Sequence, residues 1–180
     1  MQKLATTYLP NAERKKRSMN KQWLTKILMA ACMLVSTLIS ATASAGTVGI
    51  LEPTVTGGMS SQEAQRAIAQ GHTVTMISAA AWASMTEAQF SAYDALILGD
   101  PTCQVGDAAV SAAAANPAWA HAADGNVILI GSDPVFHYTY GGVYGAGVLM
   151  DRGIAFATAQ QGTGRTGAYI TLSCYYHFVS

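Results

Sequence analysis

The sequence predicts an α/β protein of three layers, a mostly parallel five-stranded sheet between helices. Three observations carry that expectation. Short apolar runs recur without alternation, as strands buried on both faces require. Stretches with helical spacing and capping residues separate them, as the crossovers of a parallel sheet require. With 51% hydrophobic and 11% charged letters in 180 residues, the chain is apolar for a soluble domain and far short of a multi-span membrane protein.

The first strand is Thr47 to Leu51 (TVGIL), ended by Glu52-Pro53. Ser60-Ser61-Gln62-Glu63 matches a capping box; Ala64, Ala67 and Ile68 follow at helical spacing, and Gly71 is the stop. Thr73 to Ile77 (TVTMI) is β-branched and short, a second strand. Thr86-Glu87-Ala88-Gln89 is another capping box, opening a brief helix through Phe90 and Tyr93. Ala95 to Leu98 (ALIL) runs into Gly99-Asp100-Pro101-Thr102, a third strand with a turn at its end. Asp107 to Ala115 is alanine-rich and helical, and Pro117 restarts a turn of helix holding Trp119. Asn126 to Ile130 (NVILI) is the most apolar strand and stops at Gly131-Ser132-Asp133-Pro134. A glycine-rich loop (Gly141, Gly142, Gly145, Gly147) leads to a helix from about Val148 to Gln160, and Ala168 to Leu172 forms the fifth strand. For five strands in so short a chain a flavodoxin-like order, 2-1-3-4-5, is the natural doubly wound solution, although periodicity alone leaves the order open. The chain stops at Ser180 with no helix to cover one face of the fifth strand, which reads as a truncated open reading frame or a domain lacking further strands.

Residues 1–45 read as an address. From Met19 a short basic start with Lys21 and Lys26 precedes an apolar stretch, Ile27 to Ile39, and then Ala43-Ser44-Ala45 before Gly46. These are the three parts of a secretory signal peptide, with cleavage expected after Ala45 and a polar extension upstream of Met19. The stretch is too short for the roughly twenty residues that cross a bilayer as a helix. An uncleaved anchor and a lipoprotein site at Cys32 are the rival readings. The exported part, 46–180, is then secreted or periplasmic, with no stable membrane span after cleavage.

All five lysines precede position 27, and nine acids face three arginines after Ala45, so the exported part is acidic. It cannot neutralise a run of phosphates, which excludes nucleic acid as a natural partner and disfavours an anionic membrane surface.

In an open α/β sheet, ligands bind beyond the carboxyl ends of the strands. Those ends carry Glu52, then Asp100 and Cys103, then Asp133 and His137, then Cys174 and His177. The G-D-P turn after the third strand and NVILIGSDP followed by a histidine resemble the class I glutamine amidotransferase-like superfamily, in its ThuA-like exported branch, over roughly 46 to 175. The resemblance implies a nucleophile elbow, G-x-C-x-G, after the fourth strand, whose cysteine attacks the glutamine amide. The matching letters are Gly131-Ser132-Asp133-Pro134-Val135, with Asp133 in place of the thiol. A carboxylate is a poor nucleophile towards an amide, so amidotransferase activity is not expected. Ser132 with His137 as base is a further alternative.

Cys174 stands in a CxxH spacing with His177 and reads as a nucleophile or metal pair. Against that stand an inert buried thiol and a disulfide to Cys103, since export leaves an even number of cysteines in an oxidising compartment. Glu52, Asp100 and Asp133 with His137 could surround a divalent cation; ordinary turn and capping chemistry is the competing account. Gly162 to Gly167 spells GxGxxG but follows a helix and precedes a strand, so it reads as a loop. Tyr138 and Tyr140, with Phe136 and Tyr144, offer aromatic faces suited to a sugar or peptide, or else a loop packed on the core. His72 and His121 read as helix-end caps. The sequence implies no cofactor. It points to an exported binding or surface-associated module whose partner is a small molecule or carbohydrate, with a hydrolase or metal-assisted carbohydrate-modifying enzyme, or a fragment without independent function, as the alternatives.

Overall fold

The computed structural model describes residues 45–99 and 108–171. Its strands are β1 (Thr47–Leu51), β2 (Thr73–Ile77), β3 (Ala95–Leu98), β4 (Val127–Ile130) and β5 (Gly167–Thr171). Its α-helices are α1 (Gln62–Ala69), α2 (Ala79–Ser84), α3 (Glu87–Phe90), α4 (Ala108–Ala114), α5 (Ala118–Ala122), α6 (Pro134–Thr139) and α7 (Tyr144–Thr158). All pairings are parallel, in the order β2-β1-β3-β5-β4. The fold is therefore α/β with flavodoxin-like topology. Among the described residues, no helix is long and apolar enough to cross a membrane.

The order differs from 2-1-3-4-5 at one place: β5 lies between β3 and β4. The cause is the face on which α7 packs. Alternate residues of each strand point to opposite faces. Val48, Ile50, Ala95, Ile97, Ile130 and Tyr169 share one face with α1 and α7, through Ala64, Ala67, Met150, Ile154 and Ala157. Leu51, Leu96, Leu98, Ala168 and Ile170 share the other with Trp82, Phe90, Ala112 and Ala122 of the remaining crossovers. Crossovers of a parallel sheet keep one hand, so the face a helix occupies sets the direction of the next step. Because α7 lies beside α1, β4 must step back towards β1 just as β1 stepped to β2.

One consequence reverses an expectation. The uncovered strand is not β5, which is buried along its whole length, but β4, whose Val127 and Leu129 are 49% and 58% exposed. A central place in the sheet covers β5 from both sides; β4 is left as the apolar edge.

Local chemistry accounts for the other differences. Thr86 and Gln89 form the expected capping box, with Thr86 N–H donating to Gln89 Oε1 at 2.8 Å and Gln89 N–H to Thr86 Oγ1 at 3.3 Å. At α1 the cap falls one residue later than the sequence motif suggests: Ser61 Oγ accepts from Ala64 N–H at 3.2 Å, so Glu63 is the second helical residue and not the closing residue of a box. Ser78 caps α2, a helix the apolar pattern did not announce. The aromatic segment after β4 is helix α6 and not a loop, because Asp133 caps it and Pro134 supplies a φ suited to its first turn. Helix α7 begins at Tyr144, four residues before the predicted start. Two of its three glycines serve packing: a Cβ on Gly153 would lie 2.7 Å from the Tyr169 ring, and one on Gly147 would lie 2.8 Å from the Tyr138 ring.

Candidate functional site

Strand order reverses between β1 and β3: the chain leaves β1 towards β2 and leaves β3 towards β4. The crevice at that reversal is where a doubly wound sheet receives ligands. Thr54 builds its floor. In the 3-10 turn Glu52–Thr54, its hydroxyl donates to Leu51 O at 2.6 Å and accepts from Gly99 N–H at 2.9 Å, tying the ends of β1 and β3 together. Gly99 has to lack a side chain, since a Cβ there would run into Thr54 O and sit 2.9 Å from Glu63 Oε1.

Glu63 brings a carboxyl group into this floor. It is 2% exposed. Burial pushes its pKa up to about 7; the charge of Asp133 adds to the rise, while its own backbone amide and Arg66 oppose it. Tyr169 approaches from β5, fully buried, its hydroxyl without a hydrogen-bond partner among the described residues. Burial, followed by the charge of Glu63, raises its pKa. Arg66 lies one turn beyond Glu63 on α1. Its guanidinium donates to Asp151 Oδ1 at 2.8 Å and to Gly147 O at 3.1 Å, and stands 4.6 Å from the centre of the Tyr138 ring. Its Nε is buried and has no hydrogen-bond partner among the described residues. Beneath this end of the sheet a buried carboxyl with its pKa raised to about 7, a buried phenol without a partner among the described residues and an arginine paired with Asp151 come together.

The sequence-predicted residues are distributed unevenly around it. Asp133 follows β4, close enough for its charge to add to the raised pKa values of Glu63 and Tyr169. Its Oδ1 also caps α6, accepting from Phe136 N–H at 2.8 Å. Its backbone, at φ −87° and ψ 88°, is unlike the strained strand-to-helix turn of a nucleophile elbow. His137 is exposed on α6, with its ring edge-on to Phe136 at 5.8 Å. Tyr138 lies under Arg66. Tyr140 is 79% exposed, its ring 5.6 Å from Phe136. Glu52 is exposed on the 3-10 turn. Asp100, Cys103, Cys174 and His177 lie outside the described residues. Among the described residues no group of three or more His, Cys, Asp or Glu side chains is arranged to hold a metal ion.

Elsewhere, His72 closes the end of α1 with its backbone, its N–H donating to Ala67 O at 3.0 Å, while its ring turns away and Nδ1 accepts from Gly46 N–H at 3.3 Å. The GxGxxG segment is a loop, with positive φ at Gly162 and Gly164. Sequence reasoning missed Glu63, Arg66 and Tyr169. One signal for Glu63 was legible: it stands four residues before Ala67 and beside Ala64, so it falls on the apolar stripe of its helix.

Comparison with protein-family models, with curated proteins and with solved structures finds no match to this chain.

Proposed function

We propose that residues 46–180 act as an exported binding module of the amidotransferase-like kind, without amidotransferase chemistry, which receives a neutral, hydroxyl-rich small molecule such as a saccharide at the carboxyl edge of the sheet. The observation that carries this reading is the mixture of groups at the β1/β3 crevice. Arg66 is neutralised by Asp151 and Glu63 titrates near neutrality, so the site has no unbalanced cation to attract an anion. It offers instead both hydrogen-bond donors and acceptors beside the aromatic side chains of α6, the combination that suits a polyol. Asp133 spends Oδ1 on the cap of α6, which weighs against a nucleophilic part for that residue.

A second reading, a hydrolase acting on carbohydrate, is favoured by one observation: a carboxyl near 7 facing a second carboxyl is the arrangement a general acid or base requires. Calorimetric titration of the exported chain with neutral mono- and disaccharides separates the two, run beside a glycosidase and esterase screen. The binding reading expects saturable association without turnover, weakened roughly 3- to 10-fold by Tyr140→Ala through loss of an aromatic face. Turnover abolished by Glu63→Gln establishes the hydrolase. Neither association nor turnover at millimolar saccharide ends both.

A further inference from the structure

The opposite edge of the sheet carries a cluster that the ligand crevice does not use. Gly46 is the first buried residue of the described chain, while Ala45 before it is exposed. Its carbonyl accepts from Thr73 N–H at 2.8 Å and its N–H donates to His72 Nδ1 at 3.3 Å. Three acceptors crowd this residue. A Cβ on Gly46 would lie 2.5 Å from Gln161 Oε1, 3.2 Å from Asp94 Oδ2 and 3.2 Å from His72 Nδ1. The Gly46 N–H is spent on His72 and Asp94 Oδ2 already accepts from Thr47, so among the described residues the buried Gln161 oxygen stands beside Gly46 with no donor of its own.

We infer that the site is built for the α-ammonium group of Gly46, produced by cleavage of the Ala45–Gly46 bond, with His72, Asp94 and Gln161 as its three acceptors. The inference rests on the reading of residues 1–45 as a cleaved leader. In that step a leader peptidase adds water across the amide. The C–N bond breaks, Ala45 leaves as a carboxylate, and the Gly46 nitrogen, protonated, carries three N–H donors in place of one. Ala45, the last residue of the A-x-A motif, is exposed and Gly46 is buried, and a side chain at Gly46 would displace the Gln161 amide from its place. Asp94 supplies the counter-charge. Burial works to raise its carboxyl, but the Thr47 and Gly162 amides, the Thr47 hydroxyl and His72 outweigh it and hold it below the ordinary value. Burial lowers the pKa of His72, keeping the Nδ1 lone pair free to accept, although Asp94 pulls the other way. These two are the titratable side chains that face the amine; Gln161, from the turn after α7, is uncharged.

The test exploits the composition of the chain. Every lysine precedes position 27, so the exported product has its α-amine as its sole primary amine. The full chain is expressed with its own leader in a secreting host, and the product is sequenced from its N-terminus and labelled with acetic anhydride across a pH series. The expected product begins at Gly46. Its folded amine titrates above the ordinary value of about 7.7–8.0 and near neutral pH labels roughly tenfold more slowly than in denaturing urea. Asp94→Asn restores most of the lost rate. Gln161→Ala, which leaves the Asp94 hydrogen bonds in place, raises it in part and serves if the first variant does not fold. A product that begins elsewhere, or retains its leader, overturns both the cleavage reading and the capture site. A product beginning at Gly46 whose amine labels as fast folded as unfolded overturns the capture site alone and leaves export standing.

Discussion

The two edges of the sheet treat their polar groups in opposite ways. At the amino edge, Asp94 accepts from Thr47 N–H at 2.7 Å, from the Thr47 hydroxyl at 3.1 Å and from Gly162 N–H at 3.0 Å. Thr166 nearby donates its hydroxyl to Tyr93 O at 2.7 Å and its N–H to Asp124 Oδ1 at 3.1 Å. At the carboxyl edge, Glu63 is buried against a backbone glycine, and the Tyr169 hydroxyl and the Arg66 Nε have no partner among the described residues. Buried polar groups are normally satisfied, and exceptions call for an explanation in function or strain. The amino edge leaves the Gln161 oxygen as its exception, while the carboxyl edge gathers an unpartnered phenol and guanidinium nitrogen beside a buried carboxyl, and the proposed ligand site lies there.

The largest effect separating the edges is the pH response of Glu63. Its folded pKa, about 7, lies above the ordinary 4.5. Its contribution is therefore complete below the unfolded value and is lost as pH rises through the folded one. Between those limits the folded state should lose about 3 kcal/mol relative to a chain without the group. Urea denaturation from pH 4 to 8, compared with Glu63→Gln, isolates that loss: the variant should lack the decline. Parallel curves for the two proteins would mean that Glu63 is solvated in the folded state, and the contrast between edges would fail at its strongest point.

Asp94 should respond with the opposite sign and a smaller amplitude. Asp94→Ala strands the Thr47 and Gly162 amides and should cost about 2 kcal/mol at neutral pH, read as a lower urea midpoint with an unchanged slope. Because the folded carboxyl titrates below its ordinary 3.8, the wild-type advantage is complete above that value and disappears as pH falls through the folded one. An Asp94 variant as stable as wild type at pH 6 would remove the amino edge's claim to be the stabilising one.

The sequence made the strands legible because each is a short run of apolar letters between turn residues, and their bounds fall within one residue of the structure. The helix over Thr86–Phe90 was legible for a local reason too, since its capping box closes within four residues. The place of β5 was not legible. It depends on which face of the sheet α7 covers, and that is decided by contacts such as Gly153 against the Tyr169 ring, between residues that no local pattern connects. The same limit hid the crevice. Turn residues were read as the polar tips of strands, whereas Glu63, Arg66 and Tyr169 come from inside helices and a strand and meet only because α1, α7 and β5 share a face. Asp133 stands at a strand end in the sequence, but its capping of α6 depends on Pro134 acting as a helix start and not as the end of a turn.

The smallest effect gives the sharpest comparison, because it sets two hydroxyls of similar burial against each other. Tyr169→Phe removes an oxygen that is buried without a partner, so it removes a desolvation cost along with the group. Stability should stay within about 0.5 kcal/mol of wild type or rise slightly. Thr166→Val removes an oxygen that donates to Tyr93 O and should cost about 1 kcal/mol, because that carbonyl then loses its donor. Affinity for the crevice ligand should invert the pair: Tyr169→Phe weakens it and Thr166→Val leaves it unchanged. If Tyr169→Phe instead destabilises the ligand-free chain by as much as Thr166→Val does, the phenol has a structural partner, such as a buried water, and the contrast between the edges fails at that hydroxyl.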